Sequence, residues 1–203
     1  MERNDHQFWQ KTAGIYTGFI SQSVSAYQKV CGRIVPYLTK KMDVLELACG
    51  TGQFSFPLAS YVHQWEATDF SANMIAEARK RSKPSYLHFS VQDATNLPYA
   101  PDSFDAVVIA NALHIMPDPD KALSEIRRVL KPGGLLIAPT FVWGTSLGAR
   151  LRLGILRIAG FHTYHRWSSR EFREYISGKG FRIEEAEETG SCLAPMCCLV
   201  GKK

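Results

Sequence analysis

No run of ~20 consecutive apolar residues occurs anywhere in the 203-residue chain, so the sequence offers no stretch of membrane-spanning length. The opening Met1-Glu2-Arg3-Asn4-Asp5 also lacks the apolar core of a secretory leader. Together these absences predict a cytoplasmic location. Cysteine is sparse and odd in number: Cys31, Cys49, Cys192, Cys197 and Cys198 contain no Cys-x-x-Cys pair. That excludes the usual disulfide framework and zinc-ligand spacing, and predicts reduced thiols. Neither sign of charge dominates. The formal net charge of +5 is modest and scattered, which reads as solvated surface rather than a nucleic-acid-binding stripe. Internal repeats and low-complexity tracts are missing as well, which excludes solenoids and fibrous arrays.

What remains is ordinary globular composition, 45% hydrophobic and 21% charged. One domain of this length buries roughly 70% of the surface its unfolded chain would expose. From about residue 42 onward, short β-branched runs alternate with helical patterns, as in a parallel sheet with crossover helices. The expected strands are Asp43–Leu47, Gln64–Asp69, Leu87–Gln92, Phe104–Ala110 and Leu135–Phe141. Helices are expected near Phe54–Tyr61, Ala72–Arg81 and Pro119–Val129. Ser168 and Glu171 match a capping box that opens a further helix, ending near Gly178 or Gly180. Two final runs, Phe181–Glu188 and Cys192–Val200, are close enough in sequence to form a hairpin, so the sheet should end antiparallel. Residues 1–40 read as helical and should cap the sheet.

The segment Val44-Leu45-Glu46-Leu47-Ala48-Cys49-Gly50-Thr51-Gly52-Gln53-Phe54 passes from a hydrophobic strand straight into a helix. Its glycines fall where a backbone must turn tightly and admit a ligand closely. Gly50-x-Gly52 alone also marks many plain strand-to-helix turns. Glu46, an acid on the strand, is costly to bury without a partner, which a cofactor's ammonium or backbone donors could supply. Asp69, ending the second strand, can accept both hydroxyls of a ribose or cap the helix after it. Asp93 ends the third strand, where it can serve a ligand or cap a loop. Two acids at successive strand ends on one rim are better explained by one ligand than by two separate caps.

These residues resemble motif I of the class I S-adenosylmethionine-dependent methyltransferases, Glu-x-x-x-Gly-x-Gly, and the likeness extends over most of residues 42–141. Phe104–His114 resembles the family's fourth strand, and Lys131-Pro132-Gly133-Gly134-Leu135 resembles the turn before its fifth. The whole pattern is most similar to the ubiquinone/menaquinone-biosynthesis, or methyltransferase type 11, group of small-molecule enzymes. The implied fold is α/β: a Rossmann-like, doubly wound, seven-stranded sheet, mostly parallel with an antiparallel C-terminal strand, and helices on both faces. The implied organisation is one domain over 1–203, with a helical cap (1–40), a cofactor-binding core (42–141), a substrate-side insertion (142–167) and a final helix and β-hairpin (168–203). S-adenosyl-L-methionine is the implied cofactor and S-adenosyl-L-homocysteine the product. The resemblance assigns cofactor contacts to Tyr16, Glu46, Ala48, Cys49, Gly50, Gly52, Asp69, Phe70, Met74, Asp93, Ala94 and Asn111. Asp69 would hold the ribose and Asp93 the adenine amino group.

Two other classes compete. An NAD-dependent Rossmann oxidoreductase shares the glycine loop and the acid about 20 residues on, but Ser55 stands where its third glycine belongs. A catalytically silent cofactor-binding module also stays open, because fold alone does not settle function. Nucleic-acid substrates are not expected: Asn111-Ala112-Leu113-His114 replaces the Asn-Pro-Pro-Tyr of adenine methyltransferases. The acceptor is therefore expected to be a small molecule, apolar or aromatic. His114 is the one candidate for a general base, and equally a histidine hydrogen-bonded at a helix start. Trp143–Trp167 lengthens the connection after the fifth strand. There Leu147, Leu151, Ile155 and Ile158 keep helical spacing beside Arg150, Arg152 and Arg157. Packing on the core is favoured for this helix over membrane contact, which the pattern leaves open. Phe161, His162, Tyr164, His165 and Trp167 crowd together after it, so Trp143, Tyr164, His165 and His114 are the substrate-side candidates. No metal is expected, and the sequence leaves the oligomeric state and the acceptor atom undetermined.

Overall fold

The computed structural model describes residues 24–81, 84–142, 163–191 and 194–203. Its strands are β1 (Asp43–Leu47), β2 (Gln64–Asp69), β3 (Leu87–Val91), β4 (Phe104–Ile109), β5 (Leu130–Ile137), β6 (Thr140–Phe141), β7 (Arg182–Ser191) and β8 (Ala194–Lys202). They form one sheet in the order β3-β2-β1-β4-β5-β8-β6, with β7 paired to β8. The first five are parallel neighbours, and β8 runs antiparallel to β5, β6 and β7. Strand order reverses direction at β1 and β4, which makes their carboxyl ends the crevice where such sheets receive ligands.

Alternation along each strand builds two separate hydrophobic layers. Val44, Ala106, Val108, Cys198 and Val200 enter one, while Leu45, Leu47, Val107, Ile109, Cys197 and Leu199 enter the other. Helices α1 (Val24–Ile34), α2 (Ser55–Leu58) and α3 (Ala72–Arg79) cover the first layer through Ile34, Leu58, Ile75 and Ala78. Helices α4 (Pro119–Val129) and α5 (Ser169–Gly178) cover the second through Leu123, Ile126, Phe172 and Ile176. Helix α1 is also tied to the sheet edge. Arg33 pairs with Glu185 and Glu187 of β7, and the Tyr37 hydroxyl donates to Glu185.

The helix after β1 and the fifth strand depart from the sequence expectation. The helix expected over Phe54–Tyr61 is α-helical only for Ser55–Leu58 and closes as a 3₁₀ turn, Ala59–Tyr61, because the chain must already extend at Val62 to enter β2. The fifth strand begins earlier, at Leu130, with an irregularity over the Lys131–Gly134 segment: register against β4 passes from Phe104↔Leu130 to Ala106↔Leu135. Gly133 there takes φ +76, and Lys131 Nζ reaches back to Asp105 at 2.9 Å. The same strand is interrupted at Pro139, which has no N–H to donate. Its pairing to β8 nevertheless holds one register on both sides, Ile137↔Val200 and Thr140↔Cys197. The β6 segment thus continues the line of β5, and the eight assigned strands occupy the seven rows expected.

No helix among the described residues is long and apolar enough to cross a membrane. Helix α5 opens with the expected capping box: the Ser168 side chain accepts from Glu171 N, and Glu171 Oε2 accepts from Ser168 N at 2.8 Å. Removing one half of that exchange by Ser168→Ala should cost about 1 kcal/mol and lower the melting temperature by roughly 2–4 °C. An unchanged thermal transition would show that packing of Phe172 and Ile176 alone fixes the helix start.

Candidate functional site

Three residues at the end of β1 adopt left-handed backbone: Ala48 (φ +53), Gly50 (φ +57) and Gly52 (φ +88). At Gly52 a side chain is disfavoured on two counts, φ +88 and a Cβ that would lie 2.6 Å from the Phe56 ring. The turn so formed is fixed to its neighbour: Cys49 N donates to Thr68 O at 2.9 Å, and Gly50 N donates to Asp69 Oδ2 at 2.8 Å. The other oxygen of Asp69 accepts from Ser71 N at 2.8 Å. The helix cap considered for Asp69 is instead supplied by Ser71, whose hydroxyl accepts from Met74 N at 3.3 Å. Burial pushes the Asp69 carboxyl above its ordinary pKa, and the two backbone donors oppose that rise. Each of its oxygens keeps a second lone pair.

A cleft of about 420 Å³ opens over this rim, within the usual range for small-molecule sites. Ala48, Gly50, Asp69, Phe70, Met74, Asp93, Ala94 and Asn111, all named from the sequence, line it. Asp93 receives both the N–H and the hydroxyl of Thr95 on Oδ1, each at 2.8 Å. Ile115, Met116, Pro117, Asp118 and Lys121, which the sequence reading did not single out, also line the cleft. Nothing in their residue types marks them; only their place after β4 on the same rim could have done so.

Glu46, Cys49, Gly52 and His114 do not line the cleft. Glu46 is 1% exposed and turned into the core, where Oε2 accepts from Ser55 Oγ and from Trp65 Nε1 at 2.8 Å. Burial lifts its carboxyl to about 7 against those two donors. Asn111, at the end of β4, is left-handed at φ +53 and anchored by its N–H to Pro139 O at 2.8 Å. Its side-chain oxygen is buried without a hydrogen-bond partner.

His114 lies in the 3₁₀ turn Leu113–Ile115, 2% exposed, with Nδ1 3.0 Å from Thr140 Oγ1. Its carbonyl accepts from Tyr164 N and His165 N at 3.0 and 3.1 Å. Burial, helped by His165, pushes its pKa down to about 4, so the imidazole is neutral at pH 7. This geometry is that of a histidine hydrogen-bonded at a helix start. Tyr164 is 40% exposed, and His165 stacks on Trp167, which stacks in turn on Tyr175 of α5. Neither Tyr164 nor His165 lines the cleft. Tyr16, Trp143, Phe161 and His162 lie outside the described residues. Among the described residues no three His, Cys, Asp or Glu side chains converge as metal ligands.

Residues 45–138 match the family model described as "Methyltransferase domain". The chain is 46% identical over 98 residues to a demethylmenaquinone methyltransferase of Paenarthrobacter aurescens, covering 48% of this chain and 38% of that protein. It is 41% identical over 98 residues to the ubiquinone/menaquinone biosynthesis C-methyltransferase UbiE of Desulfotalea psychrophila, covering 45% and 38%. The chain thus spans about two fifths of the length of the curated relatives it matches. A chain in the complex of the Haloferax volcanii Trm112 methyltransferase activator superposes with TM-score 0.81 at 21% identity, over 96% of both chains. A SAM-dependent methyltransferase of Thermotoga maritima, described as a possible histamine N-methyltransferase, gives 0.74 at 24% identity over 97% and 99%. The matches favour neither the oxidoreductase nor the silent module.

The buried Glu46 has a consequence for stability. Its folded pKa of about 7 lies above the ordinary 4.5, so folding favours the protonated form. That contribution is complete below about pH 4.5 and is lost as pH rises through about 7. Glu46→Gln keeps an acceptor for Ser55 and Trp65 and cannot ionise. Denaturant titrations at pH 5 and pH 8 should therefore show the wild type losing more stability than Glu46→Gln over this interval. Equal losses would mean that Glu46 does not titrate there.

Proposed function

We propose that this chain, whose residues 45–138 match a methyltransferase-domain model, transfers the methyl group of S-adenosylmethionine to a small apolar acceptor. The observation that carries this reading is the cleft at the carboxyl ends of β1–β4, with Asp69 closing β2 and Asp93 just past β3. The residues present fit the cofactor. Asp69 keeps a free lone pair on each oxygen for a vicinal diol, and both hydrogen bonds from Thr95 fall on one oxygen of Asp93, leaving Oδ2 outside that turn. Phe70, Met74 and Ala94 give the apolar walls a purine ring requires. When bound, the sulfonium supplies both the methyl group and its own leaving group.

The chain's contribution is then positioning and exclusion of water rather than strong acid–base chemistry. That suits a neutral, buried His114, which we read as part of the wall behind the acceptor and not as a base. Ile115, Met116 and Pro117 add apolar surface to the same cleft. For the acceptor we favour a molecule of the demethylated naphthoquinol kind, following the names of the relatives. A cytoplasmic location accords with the free Cys31, Cys49, Cys197 and Cys198.

Isothermal titration of the wild type with S-adenosylhomocysteine and with NAD separates the readings, with binding expected only for the former. Asp69→Ala removes charge-assisted hydrogen bonds and should weaken S-adenosylhomocysteine at least about tenfold in a protein that still melts cooperatively. Release of S-adenosylhomocysteine from S-adenosylmethionine on addition of a demethylated naphthoquinol, and its absence with NAD-linked substrates, tests the acceptor. Full affinity in folded Asp69→Ala would remove the carboxylate from the site.

A further inference from the structure

We infer that Glu125 and Arg128 of α4 are positioning residues for base recognition: they clamp the loop that carries Asp93 and thereby set how selectively the cleft reads the base of its ligand. The inference rests on the reading of the cleft as the S-adenosylmethionine site with Asp93 at the adenine amino group. Residues 92–103 join β3 to β4 and form no helix or strand of their own. A loop of this kind keeps one shape only where its backbone groups are engaged. Its early residues Asp93, Ala94 and Thr95 line the cleft. On the β3 side Gln92 N donates to Asp69 O at 3.1 Å, and Asn96 N closes a turn on Asp93 O at 3.0 Å.

The other side of the turn is held by α4. Glu125 and Arg128 stand three residues apart on that helix, a spacing that on an exposed surface gives a weak ion pair. Here the side chains are 19% and 33% exposed, and the pair is bidentate: Arg128 Nε donates to Glu125 Oε1 and Nη2 to Oε2, each at 2.7 Å. Both partners also reach the loop's backbone. Glu125 Oε2 accepts from Leu97 N at 2.8 Å, while Arg128 donates to Leu97 O at 3.0 Å and to Tyr99 O at 2.7 Å. The backbone N–H and C=O of Leu97 are thus both taken by side chains of one helix, and its own side chain is buried in the second hydrophobic layer.

The clamp bears on the cleft through two connections. Leu97 directly follows the Asp93–Asn96 turn, so a displacement at Leu97 passes to Asp93 with little slack. The amino end of the same helix brings Lys121 to the cleft wall, so the clamp ties the loop to the element on which another part of that wall is built. Neither Glu125 nor Arg128 lines the cleft, and both therefore act through Asp93 and not on the ligand. Arg128, helped by Leu97 N–H and opposed by burial, holds the Glu125 carboxyl below its ordinary pKa, which keeps the pair ionised at neutral pH.

Paired titrations with S-adenosylhomocysteine and S-inosylhomocysteine test this, because in the second ligand an oxygen replaces the amino group of the base. The wild type should favour the first at least about tenfold. Arg128→Leu and Glu125→Ala should each bring that ratio to within about threefold by weakening S-adenosylhomocysteine, with S-inosylhomocysteine held within about twofold. Glu125→Gln, whose amide oxygen still accepts from Leu97 N, should keep the ratio within about twofold of the wild type. In an Asp93→Ala background Arg128→Leu should lower the ratio no further, since the residue it positions is gone. If neither disruptive variant melts cooperatively, Arg128→Lys, which keeps the charge without the fork, should give an intermediate ratio. A wild-type ratio in the folded disruptive variants or in Arg128→Lys, an equal loss of both ligands, or a further fall in the Asp93→Ala background would each overturn the assignment. A wild type that binds both ligands equally overturns it too and leaves the cofactor reading standing, whereas one that binds neither removes that reading as well.

Discussion

The carboxylate of Asp69 holds the functional rim together. It accepts Gly50 N from the turn after β1, 19 residues before it, and Ser71 N from the start of α3, 2 residues after it, so two loops are fixed by one side chain. The glycine turn depends on it: Ala48, Gly50 and Gly52 all hold positive φ, and such a turn keeps its shape only where its free N–H groups are engaged. The aspartate is thus a structural clamp carried by a residue of the cleft wall. Burial raises the pKa of that group while its two donors hold it down.

Much of this was legible because parallel sheets write themselves strongly into sequence. Strands buried on both faces need alternate residues for two different layers, and β1, β2 and α4 fall on their expected bounds. The capping box at Ser168 and Glu171 was legible for a different reason, since its hydrogen bonds are local. Eight of the twelve residues given a cofactor role lie on one cleft because strand ends are set by the same alternation.

What the sequence could not show depends on partners that come together only in the fold. Glu46 reads as an acid awaiting a ligand cation, yet its donors are a helix residue 9 positions away and a strand residue 19 positions away. The interruption of β5 at Pro139 was hidden by the β-branched and apolar residues on both sides of it. Asn111 was named through the family resemblance, but its left-handed φ and its unpaired oxygen depend on the fold. His114 was read as base or structural histidine with equal weight, and burial beside Thr140 and Phe141 gives it the geometry of the second.

The central claim is that one nucleoside ligand spans the ends of β3, β2, β1 and β4. A crystal structure of the complex with S-adenosylhomocysteine tests it most directly. The account requires density for the base beside Asp93 and Phe70, both ribose hydroxyls on Asp69, and the amino-acid end between the Ala48–Gly50 turn and Asn111. Density elsewhere on the chain, or a ribose that does not touch Asp69, would contradict it.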